Sequence, residues 1–179
     1  MEFFEVVERR CSVRDYEDKG VNDELIKIIL NAGIKAPSAG NIQPWRFIIV
    51  KNQEIKNKLA KAAYGQSFIR EAPVNIVVCA DEFASSSRYG ERGRTLYCIQ
   101  DTAAAIENIL LAVTALNLGA CWVGAFKENE VRYILDLPSN IRPVAIIPIG
   151  YPKKTAYRTS RYPLQKVTYL DIYGNPLSW

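Results

Sequence analysis

One apolar segment, Thr95 to Leu118, constrains the fold of this 179-residue chain more than any other feature. Its apolar positions nearly encircle a helix, whereas a single neighbouring sheet covers only one stripe of a helix. Polar residues that a membrane span rarely tolerates stand within the segment: Gln100, Asp101, Glu107 and Asn108. The pattern therefore predicts a buried helix and no membrane contact, with a second subunit of an obligate homodimer covering the side that the sheet leaves open.

Length and composition narrow the class of protein. Apolar residues make up 49% of the chain and charged residues 23%, as in globular domains, and the length suits one domain spanning residues 1–179. A net charge of +4 is well below the basic footprint of nucleic-acid binders, so no nucleic-acid partner is expected. Four cysteines stand far apart behind an N-terminus without a secretory pattern, which predicts reduced thiols in the cytoplasm: Cys11, Cys79, Cys98 and Cys121.

The chain contains no histidine. This excludes a Ser-His-Asp triad, a Cys-His dyad and a His-ligated zinc, and no metal site is expected. Acid and base chemistry would fall to carboxylates, tyrosines, lysines or a bound cofactor, and no paired-carboxylate motif is present. The composition therefore favours chemistry supplied by a cofactor.

Local patterns predict a mixture of helices and strands. Asn22 is placed to cap a helix that Pro37 closes, and a short helix containing Phe3 and Phe4 precedes it. Further predicted helices cover residues 53–63 and 127–136, and predicted strands cover 47–50, 74–80 and 142–151. Pro148 predicts an edge or a bulge in the last strand. The polar stretch from Asp81 to Arg94 is interpreted as a long loop and a candidate substrate lid.

The stretch from Pro37 to Trp45 offers the wall of a pocket. Two prolines and a glycine bend its backbone, while short polar side chains remain free to hydrogen-bond a planar heterocycle. An ordinary turn recruits the same residue types, so both interpretations stay open at this point. Basic clusters near both ends of the chain would hold a phosphate if folding brought them together.

Five segments, in order over almost the whole chain, resemble the nitroreductase family of flavoenzymes. They are Arg10–Arg14, Pro37–Trp45, Leu96–Asn108 with Leu110 and Leu111, Gly119–Phe126 and, more weakly, Arg161–Leu164. The resemblance implies an α+β sandwich, with a mainly antiparallel sheet flanked by helices, in an intertwined homodimer. It also implies one FMN in each of two sites at the subunit interface. Independently of the resemblance, the aromatic residues from Val167 to Trp179 indicate that the end of the chain packs either on its own domain or on a partner's sheet edge. We expect residues 165–179 to form a C-terminal extension that packs on the partner.

The resemblance assigns the cofactor contacts residue by residue. Arg10, Ser12 and Arg14, with the backbone of Cys11, would bind the FMN phosphate and ribityl chain, and Arg161 would close on the phosphate. The flavin ring would be contacted by Pro37, Ser38, Ala39 and Asn41 of the partner's loop, by Trp122, Val123, Gly124 and Ala125, and by Gln66 at the pyrimidine edge. A backbone amide near Gly124 would point to flavin N5. The chain departs from the family at Thr159, where many relatives have a basic residue, and Arg158 stands one place away.

The implied activity is an FMN-dependent oxidoreductase that takes a hydride from NADH or NADPH and reduces a small planar acceptor such as a nitroaromatic, a quinone or a flavin. Two alternatives remain open. One is a flavin-fragmenting enzyme or a reductive dehalogenase on the same fold, because fold does not determine chemistry. The other is a non-catalytic FMN carrier or sensor.

Overall fold

The four strands form one antiparallel sheet in the computed structural model, which describes residues 1–154 and 157–177. The strands stand in the order β1-β2-β4-β3 and comprise Trp45–Val50 (β1), Val74–Asp81 (β2), Gly119–Ala120 (β3) and Ile141–Gly150 (β4). In register, Phe47 lies opposite Val78, which lies opposite Ala145. The predicted α+β class is confirmed.

Seven α-helices accompany the sheet in the described part of the chain: Phe3–Arg9 (α1), Asp23–Gly33 (α2), Gln53–Ala62 (α3), Phe68–Glu71 (α4), Glu82–Arg92 (α5), Cys98–Ala115 (α6) and Glu128–Ile134 (α7). The Asn22 side chain accepts a hydrogen bond from the backbone N–H of Leu25 at 2.9 Å, and Asn52 caps α3 in the same way. The predicted starts of these helices are confirmed at the residues whose side chains satisfy the free N–H groups of the first turn.

Helices cover both faces of the sheet, because alternate side chains of β2 enter two different cores. Val74, Ile76 and Val78 pack with α2 and α6, whereas Val77 and Cys79 pack with α3, α4 and α7. The run Glu82–Ala115 is long and apolar enough to cross a membrane by length and composition alone. In the fold, however, the apolar side of α6 packs on the sheet and on α2, as predicted for a core helix.

The prediction of a loop over residues 81–94 is wrong, because most of this stretch forms α5. The Asp81 side chain accepts a hydrogen bond from the backbone N–H of Ala84 at 3.1 Å, and Ser85 is buried. Gly90 interrupts the helix with a φ of 55°. A π-helical turn, Gly93–Tyr97, then joins α5 to α6, so the predicted long helix begins at Cys98.

Pro148 lies neither at the sheet edge nor at its register shift, which falls between Val78 and Cys79. The carbonyl of Pro148 accepts a hydrogen bond from the N–H of Cys121. In an antiparallel strand the N–H and C=O of one residue face the same neighbour, so the missing N–H of Pro148 faces β3 and not β2. The pairing with β4 nevertheless continues beyond β3 at Val123, which exchanges two hydrogen bonds with Ile146.

The C-terminal segment, residues 157–177, adds one short 3₁₀ turn at Leu164–Lys166 and leaves apolar side chains exposed. These side chains include Leu164, Val167, Leu170, Ile172 and Tyr173. Phe3 and Phe4 on α1 are also exposed. The packing of residues 165–179 on a partner stays a prediction, and Trp179 lies outside the described residues.

Candidate functional site

A cleft of about 730 Å³ lies between the N-terminal and the C-terminal segments of the chain. One wall follows α1 and the other belongs to the C-terminal segment; the lining residues are Val7, Glu8, Arg10, Cys11, Ser12, Arg14, Tyr157, Arg158, Thr159 and Arg161. Five residues assigned to phosphate binding by resemblance therefore meet: Arg10, Cys11, Ser12, Arg14 and Arg161. The sequence carried no signal for Tyr157, because its place depends on how the C-terminal segment folds back.

The cleft is strongly basic, since among the described residues its lining includes Arg10, Arg14, Arg158 and Arg161 but a single carboxylate, that of Glu8. The Arg161 guanidinium donates to the Thr159 carbonyl at 3.0 Å and to the Thr159 hydroxyl at 2.9 Å, which fixes its position. Thr159 thus holds an arginine in place. Such an array of guanidinium groups suits a phosphate dianion, which accepts paired hydrogen bonds.

The arginine-bearing segment is held against β3. The N–H of Val13 donates to the carbonyl of Ala120 at 2.9 Å, and a Cβ at Gly119 would lie 2.7 Å from the Val13 side chain, so only glycine permits this approach. The Tyr16 hydroxyl donates to the Val13 carbonyl at 2.7 Å, and burial raises the pKa of that hydroxyl. Ser12 and Arg14 are thereby placed beside the segment that follows β3.

Residues 122–125, in the segment that follows β3, present an open backbone. Val123 is buried and pairs with Ile146 in both directions, whereas Gly124 and Ala125 are exposed. A Cβ at Gly124 would meet nothing within 4 Å. The Gln66 amide donates to the Ala125 carbonyl at 3.1 Å, which brings Gln66 to this segment. Trp122 is partly exposed, and burial raises the pKa of the neighbouring Cys121 thiol although Arg14 opposes the shift.

The Pro37–Trp45 loop is held in a defined conformation by its backbone angles and by hydrogen bonds. Gly40, Asn41 and Gln43 all have positive φ, and the Ser38 hydroxyl accepts a hydrogen bond from the Gln43 N–H at 3.0 Å. The Asp101 carboxylate accepts another from the Ala39 N–H at 3.0 Å. Asp101 is 7% exposed, burial raises its pKa, and its second oxygen has no hydrogen-bond partner among the described residues. Sequence reasoning missed this anchor because an acidic residue in an apolar helix does not reveal its partner.

The loop and the basic cleft meet α6 on different sides. The loop is anchored at Asp101, whereas the guanidinium of Arg10 lies 3.9 Å from the carboxylate of Glu107. Six residues of α-helix correspond to about 9 Å along the axis and about 120° around it. Within one chain, then, Pro37, Ser38, Ala39 and Asn41 do not line the arginine cleft, and neither do Gln66 and residues 122–125. Cys121 and Val123 do share a hydrophobic core with Cys11 and Val13.

Comparisons with known proteins match most of the chain. The model of the Nitroreductase family matches residues 7–67 and 61–151. A protein with the provisional name NADH dehydrogenase/NAD(P)H nitroreductase from Archaeoglobus fulgidus is 38% identical over 156 residues, or 85% of this chain and 86% of that protein. The FMN reductase [NAD(P)H] of Bacillus subtilis is 29% identical over 178 residues, or 92% of this chain and 71% of that protein.

A solved structure extends the likeness to three dimensions. The structure carries the same provisional name as the Archaeoglobus protein and comes from Parabacteroides distasonis. It superimposes with a TM-score of 0.84 at 32% identity, covering 93% of this chain and 96% of that one. With the sheet, the basic cleft and the open backbone at Gly124 in the same chain, these matches lead to one conclusion: the chain belongs to the nitroreductase family.

Proposed function

We propose that this protein is an FMN-dependent oxidoreductase that uses NADH or NADPH as its hydride donor. The observation that carries the proposal is a cleft lined by four arginines in a chain whose backbone is also open at Gly124. The name of the Bacillus subtilis relative, an FMN reductase [NAD(P)H], supports the choice of cofactor and donor. A small planar acceptor, such as a nitroaromatic, a quinone or a flavin, is proposed as the second substrate.

The residues present fit the cofactor. A phosphate near a charge of −2 needs about two guanidinium groups to offset its desolvation. Arg10, Arg14 and Arg161 supply them, with the Ser12 hydroxyl and the Cys11 backbone as further partners, and Arg158 lines the same cleft. The chemistry that FMN supplies when bound is acceptance of a hydride from the nicotinamide and onward transfer of electrons to the acceptor.

Backbone groups near Gly124 would serve the flavin ring. The Gly124 N–H is proposed to donate to ring nitrogen N5, where a fixed donor stabilises developing charge without an ionisable side chain. The absence of a Cβ leaves room for the ring to approach. Trp122, Val123, Ala125 and Gln66 would complete this side, with Val123 acting through the strand-like pairing that fixes the segment.

The Pro37–Trp45 loop would reach the flavin of the partner subunit. It meets α6 on a different side from the arginine cluster of its own chain, so Pro37, Ser38, Ala39 and Asn41 complete a site only if a second copy supplies the cleft. Exposed apolar residues on α1 and on residues 164–173 offer surface for such a homodimer. We include in the proposal a single domain over residues 1–179, with residues 165–179 packing on the partner, and a cytoplasmic location.

An anaerobic titration tests the proposal. The purified protein is expected to be yellow, or to become so with added FMN, and its visible absorbance should bleach with NADH or NADPH and recover with a quinone or a nitroaromatic. A preparation that stays colourless with excess FMN would refute the cofactor. A bound flavin that neither nicotinamide bleaches would point instead to a carrier or sensor.

A further inference from the structure

Two arginines of α5 lack a carboxylate partner among the described residues, and one of them, Arg88, contacts the Pro37–Trp45 loop. Arg88 donates through Nη1 to the Gly40 carbonyl at 3.3 Å, and Arg92 donates through Nε to the Tyr97 hydroxyl at 3.0 Å. Neither guanidinium forms a salt bridge with any described residue. Nearby arginines do: Arg94 pairs with Glu91, and Arg46 pairs with Asp81.

Aromatic packing holds the two cations in place. The guanidinium carbon of Arg88 lies 5.4 Å from the centre of the Tyr89 ring, and that of Arg92 lies 5.3 Å from the centre of the Tyr97 ring. The Tyr89 and Tyr97 rings themselves meet edge to face at 5.3 Å. Long side chains held by ring contacts lose less conformational freedom when they bind a ligand, so the pair is pre-organised.

Gly40 allows α5 to approach the loop closely. A Cβ at this position would lie 2.5 Å from the Tyr89 hydroxyl and 2.8 Å from Nη1 of Arg88. Arg88 therefore stands directly beside the loop that is proposed to face the flavin, and Arg92 is linked to this contact through Tyr97 and Tyr89. A substrate reaching the flavin past this loop would meet the exposed guanidinium of Arg88, with that of Arg92, also exposed, four residues further along the chain.

We infer that Arg88 and Arg92 bind phosphate groups of the nicotinamide dinucleotide and so select a phosphorylated hydride donor. The inference rests on the proposed function, because it places the donor in that site. Guanidinium groups match phosphate oxygens in geometry and charge. Two phosphate sources are possible: the pyrophosphate, which NADH and NADPH share, and the 2′-phosphate, which only NADPH carries.

Steady-state kinetics with three donors test the inference: NADH, NADPH and reduced N-benzylnicotinamide, a neutral donor without phosphate. In Arg88→Gln the KM for a phosphorylated donor should rise about tenfold, as expected for the loss of one charge-assisted hydrogen bond. The KM for the neutral donor and the Kd for FMN should not change. Arg94→Gln, which alters a cation already paired with Glu91, is the matched control and should leave all three donors unaffected.

The pattern of results identifies the phosphate. A rise for both dinucleotides assigns the pyrophosphate, and a rise for NADPH alone assigns the 2′-phosphate. Equal changes for all three donors, no change for any, or a loss of FMN affinity would overturn the inference. Failure of the wild-type protein to accept hydride from any donor would instead refute the proposed function.

A measurement on the wild-type protein covers the case in which Arg88→Gln does not fold. If guanidinium groups bind the donor's phosphates, kcat/KM for NADH or NADPH should fall as ionic strength rises, while the value for the neutral donor stays nearly constant. The same salt dependence for all three donors would contradict the inference.

Discussion

At Gly124 the chain exposes backbone where a side chain would meet only open space. If the flavin lies there, Gly124→Ala should leave the stability of the apoprotein within about 0.5 kcal/mol of wild type, as for an exposed site. It should nevertheless raise the Kd for FMN about tenfold or more, because the methyl group occupies volume needed by the ring. Thermal unfolding without cofactor and fluorescence titration with FMN measure the two effects. Unaltered FMN affinity would exclude this backbone as a flavin contact.

A second prediction for a single residue concerns Asp101 and the dependence of the protein's stability on pH. Burial raises the pKa of its carboxyl above the ordinary 3.8, so the folded state holds the proton to higher pH than the unfolded state does. The contribution of this carboxyl to the free energy of unfolding should therefore decrease as pH rises from 3.8 through the raised pKa. At higher pH this contribution should not change further. Asp101→Asn keeps an acceptor for the Ala39 N–H and removes the titration.

Urea unfolding of wild type and Asp101→Asn across acid to neutral pH tests this prediction. The stability of the variant relative to wild type should improve with rising pH over that interval. Thr102→Val provides a control, because Thr102 is also buried on α6 and its hydroxyl donates to the Cys98 and Ile99 carbonyls of the same helix. A difference between wild type and Asp101→Asn that does not vary with pH would contradict the assignment.

At the scale of the elements, the end of α5 depends on a close approach between Gly93 and the backbone of Ser85. Gly93 has helical dihedral angles, where alanine is ordinarily favoured by about 1 kcal/mol. A Cβ there would, however, lie 2.3 Å from the backbone oxygen of Ser85, which cannot swing aside. Gly93→Ala should therefore destabilise the protein by about 1–3 kcal/mol, as overpacking does. Urea denaturation measures the change, with Gly20→Ala, where a Cβ meets nothing, as the control. Equal stability of the two variants would show that α5 does not depend on this contact.

At the scale of the whole molecule, the exposed apolar surface predicts assembly. Phe4 on α1 is 79% exposed, and Tyr133 on α7, which packs on the other face of the sheet, is 90% exposed. We expect sedimentation at twice the 20.2 kDa chain mass. Phe4→Asp should shift the protein toward monomer and weaken FMN binding together, whereas Tyr133→Asp should change neither. A monomeric wild-type protein that binds FMN fully would refute the composite site.

Much of the fold follows from local sequence, because its causes lie within a few residues of each other. Asn22 and Asn52 mark helix starts through hydrogen bonds three residues away, and β2 is recognisable as a run that is apolar on both faces. The sharp bend at Gly40 is likewise encoded by residue type. The family resemblance adds the site residues, because the motifs that carry it and their order are read directly from the sequence.

Tertiary structure alone decided the rest. Residues 82–92 carry no helical pattern strong enough to recognise, and they form α5 because Asp81 caps the helix and Gly93 lets it dock. The meeting of Arg10 with Arg161, the burial of Asp101 against Ala39, and the placing of Arg88 over Gly40 all join residues far apart in sequence. Such contacts depend on how sheet and helices pack, and a single sequence records each partner but not the distance between them.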